Sequence, residues 1–346
     1  MKKKDTEGTD LRNLTLGELE SLVISLGEKP YRAQQILNWL YQNPVSTVQE
    51  MTNLPKTLRT KIESLSYLST LTTTAVKTAP DGTRKFLFTL QDGNKIESVL
   101  IPEKNHLTIC ISTQVGCAMG CSFCLSGKDG LIRNLTAAEI VNQIYVIKND
   151  FLDKEQTINI VFMGMGEPLA NFKNTCKALG ILTEPFGLNF PPRRITVSTA
   201  GLIPEIKKLG QELPVNLAIS LNAATDELRD VLMPINRRYP LNKLIKSASQ
   251  ATLPSGKHIT FEYIMIEGVN DSLKDARALA SLLRGVRCKV NLIPFNEHKG
   301  ATFKRPTAQT VDQFQQYLSS QNLTVLVRYS KGTEIAAACG QLSCGT

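Results

Sequence analysis

Histidine is scarce in this chain of 346 residues, which contains only His106, His258 and His298. None of the three falls into a metal-binding or catalytic-triad pattern, so histidine-based acid–base chemistry is not expected. Tryptophan occurs once, and no segment approaches the ~18 consecutive apolar residues that a membrane span needs. The charged first residues are not followed by an apolar segment, so the sequence predicts no secretory signal. These absences favour a cytoplasmic protein that does not contact a membrane.

Basic residues outnumber acidic ones, with 40 lysines and arginines against 31 aspartates and glutamates, a net charge of +9. A hydrophobic content of 42% is enough for a substantial buried core. The basic balance favours a polyanionic partner, for which RNA is the natural candidate. Ordinary solubility charge is the alternative, and charge alone does not decide between them.

Cysteine is present in moderate number, at Cys110, Cys117, Cys121, Cys124, Cys176, Cys288, Cys339 and Cys344. In a reducing compartment these residues are expected to be metal ligands, catalytic thiols or small core residues rather than disulfides. Cys176 and Cys288 lie in apolar stretches, which predicts packing roles for both. The sequence assigns no role to Cys344.

The first part of the chain, 1–68, is predicted to be a small helical domain. Thr15-Leu-Gly-Glu18 fits a capping box at the start of a helix, and apolar residues at helical spacing predict a later helix over 51–65. The polar faces of these helices are basic and carry Lys29, Arg32, Lys56, Arg59 and Lys61. Such a module could dock RNA, although a solvated face is the commoner meaning of a charge run.

After residue 68 the pattern changes to strands. The turn Pro80-Asp-Gly-Thr83 predicts a hairpin within a β extension over 69–104. Strands then alternate with helices over 105–329, followed by a C-terminal segment, 330–346. The predicted strands are 107–113, 158–163, 193–198, 214–220, 259–266, 287–293 and 322–328. The predicted helices are 136–150, 171–183, 201–209, 225–232, 240–250, 271–284 and 307–319. This alternation predicts a parallel sheet covered by helices, with a ligand at the carboxyl ends of the strands.

Three cysteines lie close together in Cys117-Ala-Met-Gly-Cys121-Ser-Phe-Cys124, a glycine-containing loop after a predicted strand. A structural zinc site needs four ligands, usually as two separated pairs, and the sequence has no second Cys-x-x-Cys or histidine pair. Three thiolates instead suit a cubane cluster whose fourth iron stays open to the amine and carboxylate of an external ligand. A zinc knuckle or three core cysteines are the alternatives.

The C-x3-C-x2-C spacing resembles that of the radical S-adenosylmethionine (SAM) superfamily. The resemblance implies an α/β fold, a partial (β/α)6 barrel with the N-terminal helical domain and the β-hairpin as additions. It also implies two cofactors, a 4Fe-4S cluster held by the three cysteines and SAM. Phe162-Met-Gly-Met-Gly-Glu-Pro168 resembles the superfamily's Gly-Gly-Glu-Pro element, in which Gly166 and Glu167 approach the ammonium group of SAM. The remaining candidate SAM contacts lie at later strand ends and are Ser198, Ser220, Leu221, Asn222 and Asn296.

Four further segments resemble the RlmN family, adenine-C2 methyltransferases of 23S ribosomal RNA and transfer RNA. They are Thr108 to Cys117, Phe162 to Asn171, Leu232 to Asn236 and Ala337 to Leu342. The resemblance extends over nearly the whole chain. It implies 23S ribosomal RNA and transfer RNA as partners, together with an electron donor such as flavodoxin or ferredoxin.

The family's chemistry gives roles to two more cysteines. Adenine C2 is electron-poor and cannot attack a sulfonium methyl group, whereas a thiolate can. The resemblance implies that Cys339 takes a methyl group from one SAM and that a 5′-deoxyadenosyl radical from a second SAM removes hydrogen from it. The methylene radical then adds to C2. Cys110 helps to resolve this adduct, which leaves a Cys110–Cys339 disulfide, and Glu97 matches the family's proposed proton acceptor.

The chain departs from the family pattern at two places. Asn222 stands where the family commonly has histidine, which removes an imidazole, and Leu125-Ser-Gly-Lys128 replaces the usual residues after the cluster cysteines.

Two other functions stay open from the sequence. One is a Cfr-type enzyme, which modifies adenine C8 with the same machinery, and the other is a non-enzymatic RNA-binding protein with a structural zinc site.

Overall fold

The computed structural model describes residues 8–343 except 44, 129, 153–155, 213–214, 252, 254–255 and 299, so Cys344 lies outside the described residues. Its strands, in chain order, are β1 (Thr9–Asp10), β2 (Ser66–Tyr67), β3 (Thr72–Thr78), β4 (Arg84–Thr89), β5 (Lys95–Pro102), β6 (Leu107–Cys110), β7 (Gln114–Gly116), β8 (Leu131–Asn134), β9 (Ile158–Phe162), β10 (Ile195–Thr199), β11 (Asn216–Ser220), β12 (Ile259–Met265), β13 (Cys288–Pro294) and β14 (Thr324–Val327). Its helices are α1 (Leu16–Ser25), α2 (Tyr31–Tyr41), α3 (Lys56–Leu65), α4 (Leu125–Lys128), α5 (Ala137–Phe151), α6 (Phe172–Thr183), α7 (Ile203–Glu212), α8 (Asp226–Leu232), α9 (Leu241–Ser249), α10 (Leu273–Leu282) and α11 (Ala308–Ser320). No helix of the described chain has the length and apolar character needed to cross a membrane.

The chain forms two compact units. The first contains 1–72, 135–156 and 173–191, and the second contains 73–134, 157–172 and 192–346. These units differ from the predicted boundaries, because α5 and nearly all of α6 group with the N-terminal helices. A buried cation accounts for part of this grouping. The Arg12 guanidinium lies 3.7 Å from the centre of the Tyr145 ring on α5 and donates to Asn142 Oδ1 at 3.4 Å.

The first unit confirms the predicted capping box. Thr15 N donates to Glu18 Oε2 at 2.8 Å, and Glu18 N donates to Thr15 Oγ1 at 3.4 Å, an arrangement that stabilises a helix by about 1 kcal/mol. The helix predicted over 51–65 is shorter than expected, because α3 begins only at Lys56, after Pro55. Proline lacks a backbone N–H and disfavours helical geometry in the residue before it, so a helix starts at Pro55 rather than passing through it.

The second unit is built on a ten-stranded sheet in the order β14-β13-β12-β11-β10-β9-β6-β5-β4-β3. All neighbours from β14 to β6 are parallel, whereas β5 runs antiparallel to β4 and β6. Each strand from β6 to β13 in this parallel part is followed by a helix before the next one, which confirms the predicted (β/α)6 arrangement and its β extension. The strand predicted over 193–198 starts later, because Pro192–Arg194 form a 3₁₀ turn and prolines cannot donate to a strand ladder.

One face of the parallel strands carries unexpected polar residues. Along β12, the residues from Ile259 to Met265 alternate between buried and half-buried, and Thr260 and Glu262 lie on the half-buried face. Asn159 on β9 and Asn291 on β13 take equivalent alternate positions. Side chains of parallel barrel strands are usually bulky and apolar on the inner face. A polar inner face therefore indicates a space for a ligand.

Candidate active site

The cysteine loop lies between β7 and β8, which pair antiparallel. Cys117 N donates to Gly130 O at 2.9 Å and so brings the two ends of the loop together. Gly116 has a φ of +73°, and a Cβ at this position would lie 1.9 Å from Gly130 O. Only glycine fits that approach, so the loop's entry requires this residue.

The three cysteines of the loop line one cavity of about 140 Å³, which we call the cofactor cavity. Cys121 and Cys124 pack against a buried apolar cluster that includes Phe123, Leu232 and Met233. Within the described residues, no three Cys, His, Asp or Glu side chains converge closely enough to hold a single metal ion. A cubane offers each thiolate a different iron, so thiols spread around a cavity match its geometry.

Burial changes the ionisation of these thiols. Burial, with contributions from the neighbouring Cys124 and Glu167, raises the pKa of Cys117 to about 12. The pKa of Cys121 is raised well above its usual range by burial and by Cys124 and Cys117. Iron ions supply the positive charge that converts such thiols to thiolates. The donor set therefore fits an iron–sulfur cluster.

Gly166 and Glu167 follow β9 and line the same cavity. Gly166 has a φ of +96°, and a Cβ there would lie 2.5 Å from Gln114 Cβ. The Glu167 carboxylate accepts hydrogen bonds from Leu169 N at 3.0 Å and Ala200 N at 2.7 Å. Burial nevertheless raises the pKa of Glu167 to about 7. A cationic ligand group in the cavity would hold this carboxylate in its ionised form.

The other predicted SAM contacts divide into two groups. Ser198, Ser220 and Asn222 line the cofactor cavity, whereas Leu221 is fully buried and donates its N–H to Glu262 O at 2.8 Å. Asn222 has a φ of +58°, and its Oδ1 accepts from Ile264 N at 2.9 Å. Asparagine tolerates this left-handed conformation better than most residues, so its side chain joins the end of β11 to β12.

A larger cavity of about 360 Å³, which we call the barrel cavity, lies against the inner face of the parallel strands. Cys110 lines this cavity, and Cys339 lines both cavities. Cys339 is an exposed residue that lies on both cavities. Desolvation by the surrounding residues raises the pKa of Cys339 to about 12, with Glu262 and Cys124 adding to the effect. Burial and the neighbouring Cys339 also raise the pKa of Cys110 well above its usual range.

Glu262 is a site residue that the sequence interpretation missed. It lines both cavities, beside Cys339, and accepts a hydrogen bond from Ser198 Oγ at 2.9 Å. Burial raises the pKa of its carboxyl group. The signal that could have identified it is a glutamate at an inward-facing alternate position of an otherwise apolar parallel strand.

The segment that carries Cys339 is attached to the cysteine loop. Leu125 N donates to Gly340 O at 2.9 Å, and Ser126 Oγ donates to Leu342 O at 2.6 Å. Asn296, a predicted SAM contact, donates instead to the carbonyl of Cys339 at 3.2 Å. Its own Oδ1 is buried without a hydrogen-bond partner among the described residues. The structure thus brings the predicted catalytic cysteine and the predicted cluster cysteines into one site.

Glu97 is placed in a buried ion pair, 2.8 Å from Lys85 Nζ. Lys85 also donates to Ala336 O at 3.1 Å, and the other oxygen of Glu97 accepts from Ser343 N at 3.1 Å. The pair therefore holds the chain on both sides of Cys339. Its role as proton acceptor stays a prediction.

Removing one partner of this ion pair is expected to destabilise the protein by about 3–5 kcal/mol, because a buried charge then lacks its partner. We expect this loss for Lys85→Met, and a partial recovery in the Lys85→Met/Glu97→Gln double variant. Urea unfolding measures both. Arg133→Met, which breaks the more exposed pair with Asp92, is the matched control and should cost less than about 1 kcal/mol. Equal losses of unfolding free energy in Lys85→Met and Arg133→Met would contradict the assignment of Lys85 and Glu97 as a buried ion pair.

Arg229 is fully buried and organises the carboxyl ends of two strands. Its guanidinium donates to Ala200 O at 2.8 Å, to Ser220 O at 3.0 Å and to Leu221 O at 3.0 Å. Asn236 Oδ1 accepts a fourth hydrogen bond from Arg229 at 3.1 Å. The Leu232-to-Asn236 motif therefore helps to hold the Arg229 guanidinium in place. Burial lowers the pKa of Arg229 to about 10.

Arg229→Met is expected to lower the free energy of unfolding by about 3 kcal/mol or more, because three buried carbonyls lose their donor. Arg229→Lys should rescue little, because an ammonium cannot reproduce the planar fork of a guanidinium. Thermal and urea denaturation measure the loss. Arg237→Met, at an exposed position nearby, should remain within about 0.5 kcal/mol of the unmodified protein.

The fold and the site define a class of protein. The (β/α)6 sheet, the three-cysteine loop and the Gly166–Glu167 element at the end of β9 are the arrangement of a radical SAM enzyme. Two family models match the chain. Residues 9–68 match the ribosomal RNA large subunit methyltransferase N-terminal domain, and residues 111–280 match the radical SAM superfamily.

Relatives that align over nearly the full length identify the family within this class. The chain is 53% identical over 336 residues to the dual-specificity RNA methyltransferase RlmN of Geotalea uraniireducens, covering 97% of both chains. It is 52% identical to the RlmN of Pelobacter propionicus, covering 97% of this chain and 96% of that one. A crystal structure of a radical SAM methyltransferase from Sphaerobacter thermophilus superimposes with a TM-score of 0.91 at 46% identity, covering 96% and 99% of the two chains.

The chain belongs to the RlmN family of radical SAM enzymes. It is therefore an enzyme whose cofactors are a 4Fe-4S cluster and SAM. This membership confirms the predicted cofactors and fold, and it excludes the alternative of a non-enzymatic zinc protein.

Proposed function

We propose that this enzyme methylates C2 of an adenine in 23S ribosomal RNA and in transfer RNA. The observation that carries the proposal is the position of Cys339, which lines the cofactor cavity and the barrel cavity together. A methyl carrier must collect its carbon from SAM on one side and deliver it to a base on the other. A single thiol shared by two cavities can do both without a large movement.

The cofactor cavity would hold the cluster and SAM. Cys117, Cys121 and Cys124 would bind three irons, and Glu167 would accept hydrogen bonds from the ammonium of SAM. Gly166 lets the backbone approach the ligand, while the polar side chains of Ser198, Ser220 and Asn222 face the same space. When bound, the cluster supplies the electron that cleaves SAM to methionine and a 5′-deoxyadenosyl radical.

Cys339 and Cys110 would carry the covalent chemistry. The Cys339 thiolate would take a methyl group from one SAM, which leaves as S-adenosylhomocysteine. The methyl group would lose a hydrogen atom to the 5′-deoxyadenosyl radical from a second SAM, and its carbon would bond to C2. C2 would then lose its hydrogen as a proton to Glu97, and one electron would return to the oxidised cluster. The Cys110 thiolate then attacks the Cys339 sulfur, and the sulfur–carbon bond breaks with its electrons on the carbon. That carbon takes a proton and becomes the methyl group. The two sulfurs end as a disulfide, oxidised by two electrons, which an external reductant must reopen.

Glu97 would serve as a proton acceptor in this scheme, as the family resemblance predicts. Its carboxylate lies 2.8 Å from Lys85 Nζ in a buried ion pair. Its contacts to the segment around Cys339 give it a second, positioning role.

The net charge of +9 and the basic residues of the N-terminal helices support RNA as the partner. We place the enzyme in the cytoplasm, where these RNAs and an electron donor such as flavodoxin or ferredoxin are found.

Anaerobic reconstitution followed by turnover tests the proposal. With SAM, a reductant and unmodified 23S ribosomal RNA or transfer RNA, we expect 5′-deoxyadenosine together with 2-methyladenosine in nuclease digests. Mass spectrometry with reference nucleosides separates 2-methyladenosine from 8-methyladenosine. An 8-methyl product would assign the Cfr-type reaction instead, and absence of methylated RNA would reject both.

The raised pKa of Cys339 predicts a pH dependence for its methylation. A thiol with a pKa of about 12 is only a small fraction thiolate at neutral pH, and that fraction rises tenfold with each pH unit below the pKa. Because the thiolate is the nucleophile, transfer of a labelled methyl group from SAM to Cys339 should accelerate about tenfold between pH 7 and pH 8. A rate independent of pH over this range would mean that the thiol is already ionised.

A further inference from the structure

Arg229 is a fully buried cation whose hydrogen-bond acceptors are all uncharged. Within the described part of the chain, its guanidinium donates to three backbone carbonyls and to one side-chain amide oxygen. The two other buried basic residues of the described chain are compensated differently. Lys85 pairs with Glu97 at 2.8 Å, and Arg12 lies over the Tyr145 ring. A charge removed from water normally requires an opposite charge, and the described residues give Arg229 no carboxylate as a direct partner.

Two carboxylates act on Arg229 from a distance. Asp226 and Asp230 lie on α8, the helix that also carries Arg229, and both oppose the lowering of the Arg229 pKa by burial. Each accepts a hydrogen bond from Asn236 Nδ2, at 3.0 and 2.7 Å, and each is half-buried. Because the Asn236 amide separates them from the guanidinium and solvent reaches them, they offset its charge only in part.

The Arg229 guanidinium lies directly behind the wall of the cofactor cavity. Ala200 and Ser220 line that cavity, and their carbonyls accept hydrogen bonds from Arg229 at 2.8 and 3.0 Å. One layer of backbone therefore separates this positive charge from the space that would hold the cluster and SAM.

The cysteine loop is attached to the helix that carries Arg229. Ser122 N donates to Leu232 O at 3.0 Å, and Cys121 packs against the apolar cluster that contains Leu232. Cys121 and Arg229 each shift the pKa of the other toward its charged form. A thiolate at Cys121 and the guanidinium are therefore close enough to attract each other through the cavity wall.

We propose that Arg229 is the counter-ion of the iron–sulfur cluster and raises its reduction potential. Three thiolates give the bound cluster a net negative charge, and the one electron that it takes from an external reductant makes it more negative. A fixed cation behind the cavity wall stabilises the reduced form more than the oxidised form, because the attraction grows with the charge. An arginine keeps its proton, so no proton accompanies the electron. This inference does not depend on which carbon of adenine the enzyme methylates.

Redox titration of the reconstituted enzyme, without RNA or SAM, tests the proposal. Arg229→Lys and Arg229→Gln both lose the planar fork of the guanidinium, but only lysine keeps a positive charge. At a fixed reductant potential, we expect the ratio of reduced to oxidised cluster to fall about tenfold or more in Arg229→Gln, a change of about 59 mV for a one-electron couple. In Arg229→Lys the ratio should stay within about twofold of that in the unmodified enzyme. Electron paramagnetic resonance of the reduced cluster measures the ratio.

An unchanged ratio in Arg229→Gln, or equal falls in the two variants, would overturn the proposal, because Arg229 would then act only through its hydrogen bonds. If neither variant binds the cluster, Asp230→Asn decides. It leaves Arg229 in place and removes a carboxylate that offsets its charge, so the ratio should rise about twofold or more. Glu227→Gln, at an exposed position of the same helix, is the matched control and should leave the ratio unchanged. Equal ratios in Asp230→Asn and Glu227→Gln would reject the counter-ion role.

Discussion

Cys339→Ala is expected to reduce RNA methylation by at least about a thousandfold, because it removes the thiol that lines both cavities and would accept the methyl group. The cluster should remain, since Cys339 is not among its three predicted ligands. Its visible absorbance and iron content should therefore equal those of the unmodified enzyme. The measurement combines anaerobic metal analysis with quantification of methylated adenosine after turnover.

Cys288→Ala is the control for this substitution. Cys288 is buried at the start of β13 and lines neither described cavity, so its loss should lower stability slightly without affecting methylation. The assignment of Cys339 fails if Cys339→Ala loses its cluster, or if it retains methyl transfer to RNA. The first result would make Cys339 a ligand or a support of the cluster, and the second would require another methyl carrier.

Cys110→Ala is expected to stop the reaction one step later and leave the enzyme covalently bound to RNA. Without the Cys110 thiol, nothing attacks the Cys339 sulfur, and the sulfur–carbon–C2 linkage persists. Denaturing gels with labelled RNA should show about one adduct per active enzyme and no multiple turnover.

The double variant Cys110→Ala/Cys339→Ala gives the decisive comparison for Cys110. It should form no adduct, because the linkage passes through Cys339. Free protein and normally methylated RNA from Cys110→Ala would exclude a resolving role, and a Cys110→Ala adduct that survives in the double variant would place the linkage on a different residue.

Local patterns predicted most of the fold. The alternation of strands and helices after residue 105, the turn at Pro80-Asp-Gly-Thr83 and the capping box at Thr15 all reappear in the structure, because each depends on neighbouring residues only. Two elements begin later than predicted, both at prolines. Pro55 delays the third helix, and Pro192 converts the expected start of a strand into a 3₁₀ turn.

Within the candidate site, the sequence identified some residues and missed others. The cluster cysteines, Gly166 and Glu167 are close in sequence and form recognisable motifs, so they could be identified in advance. Glu262 was missed because its signal, one glutamate at an alternate position of a strand, is weaker than a motif of several residues. Leu221 and Asn296 were predicted as SAM contacts, but in the structure Leu221 is fully buried and Asn296 holds the Cys339 carbonyl. Their predicted roles stay untested.

The sequence by itself determined the chemistry that is available: three thiols at cluster spacing, two further cysteines, a basic balance and a strand–helix alternation. Only the tertiary structure decided which of these residues lie close together. It placed Cys339, which is more than 200 residues from Cys110 in sequence, on the wall shared by two cavities, and it turned threonines and asparagines of separate strands toward one polar space. The physical reason is that motif spacing reports contacts within a few residues, whereas cavities form where distant strands and loops pack.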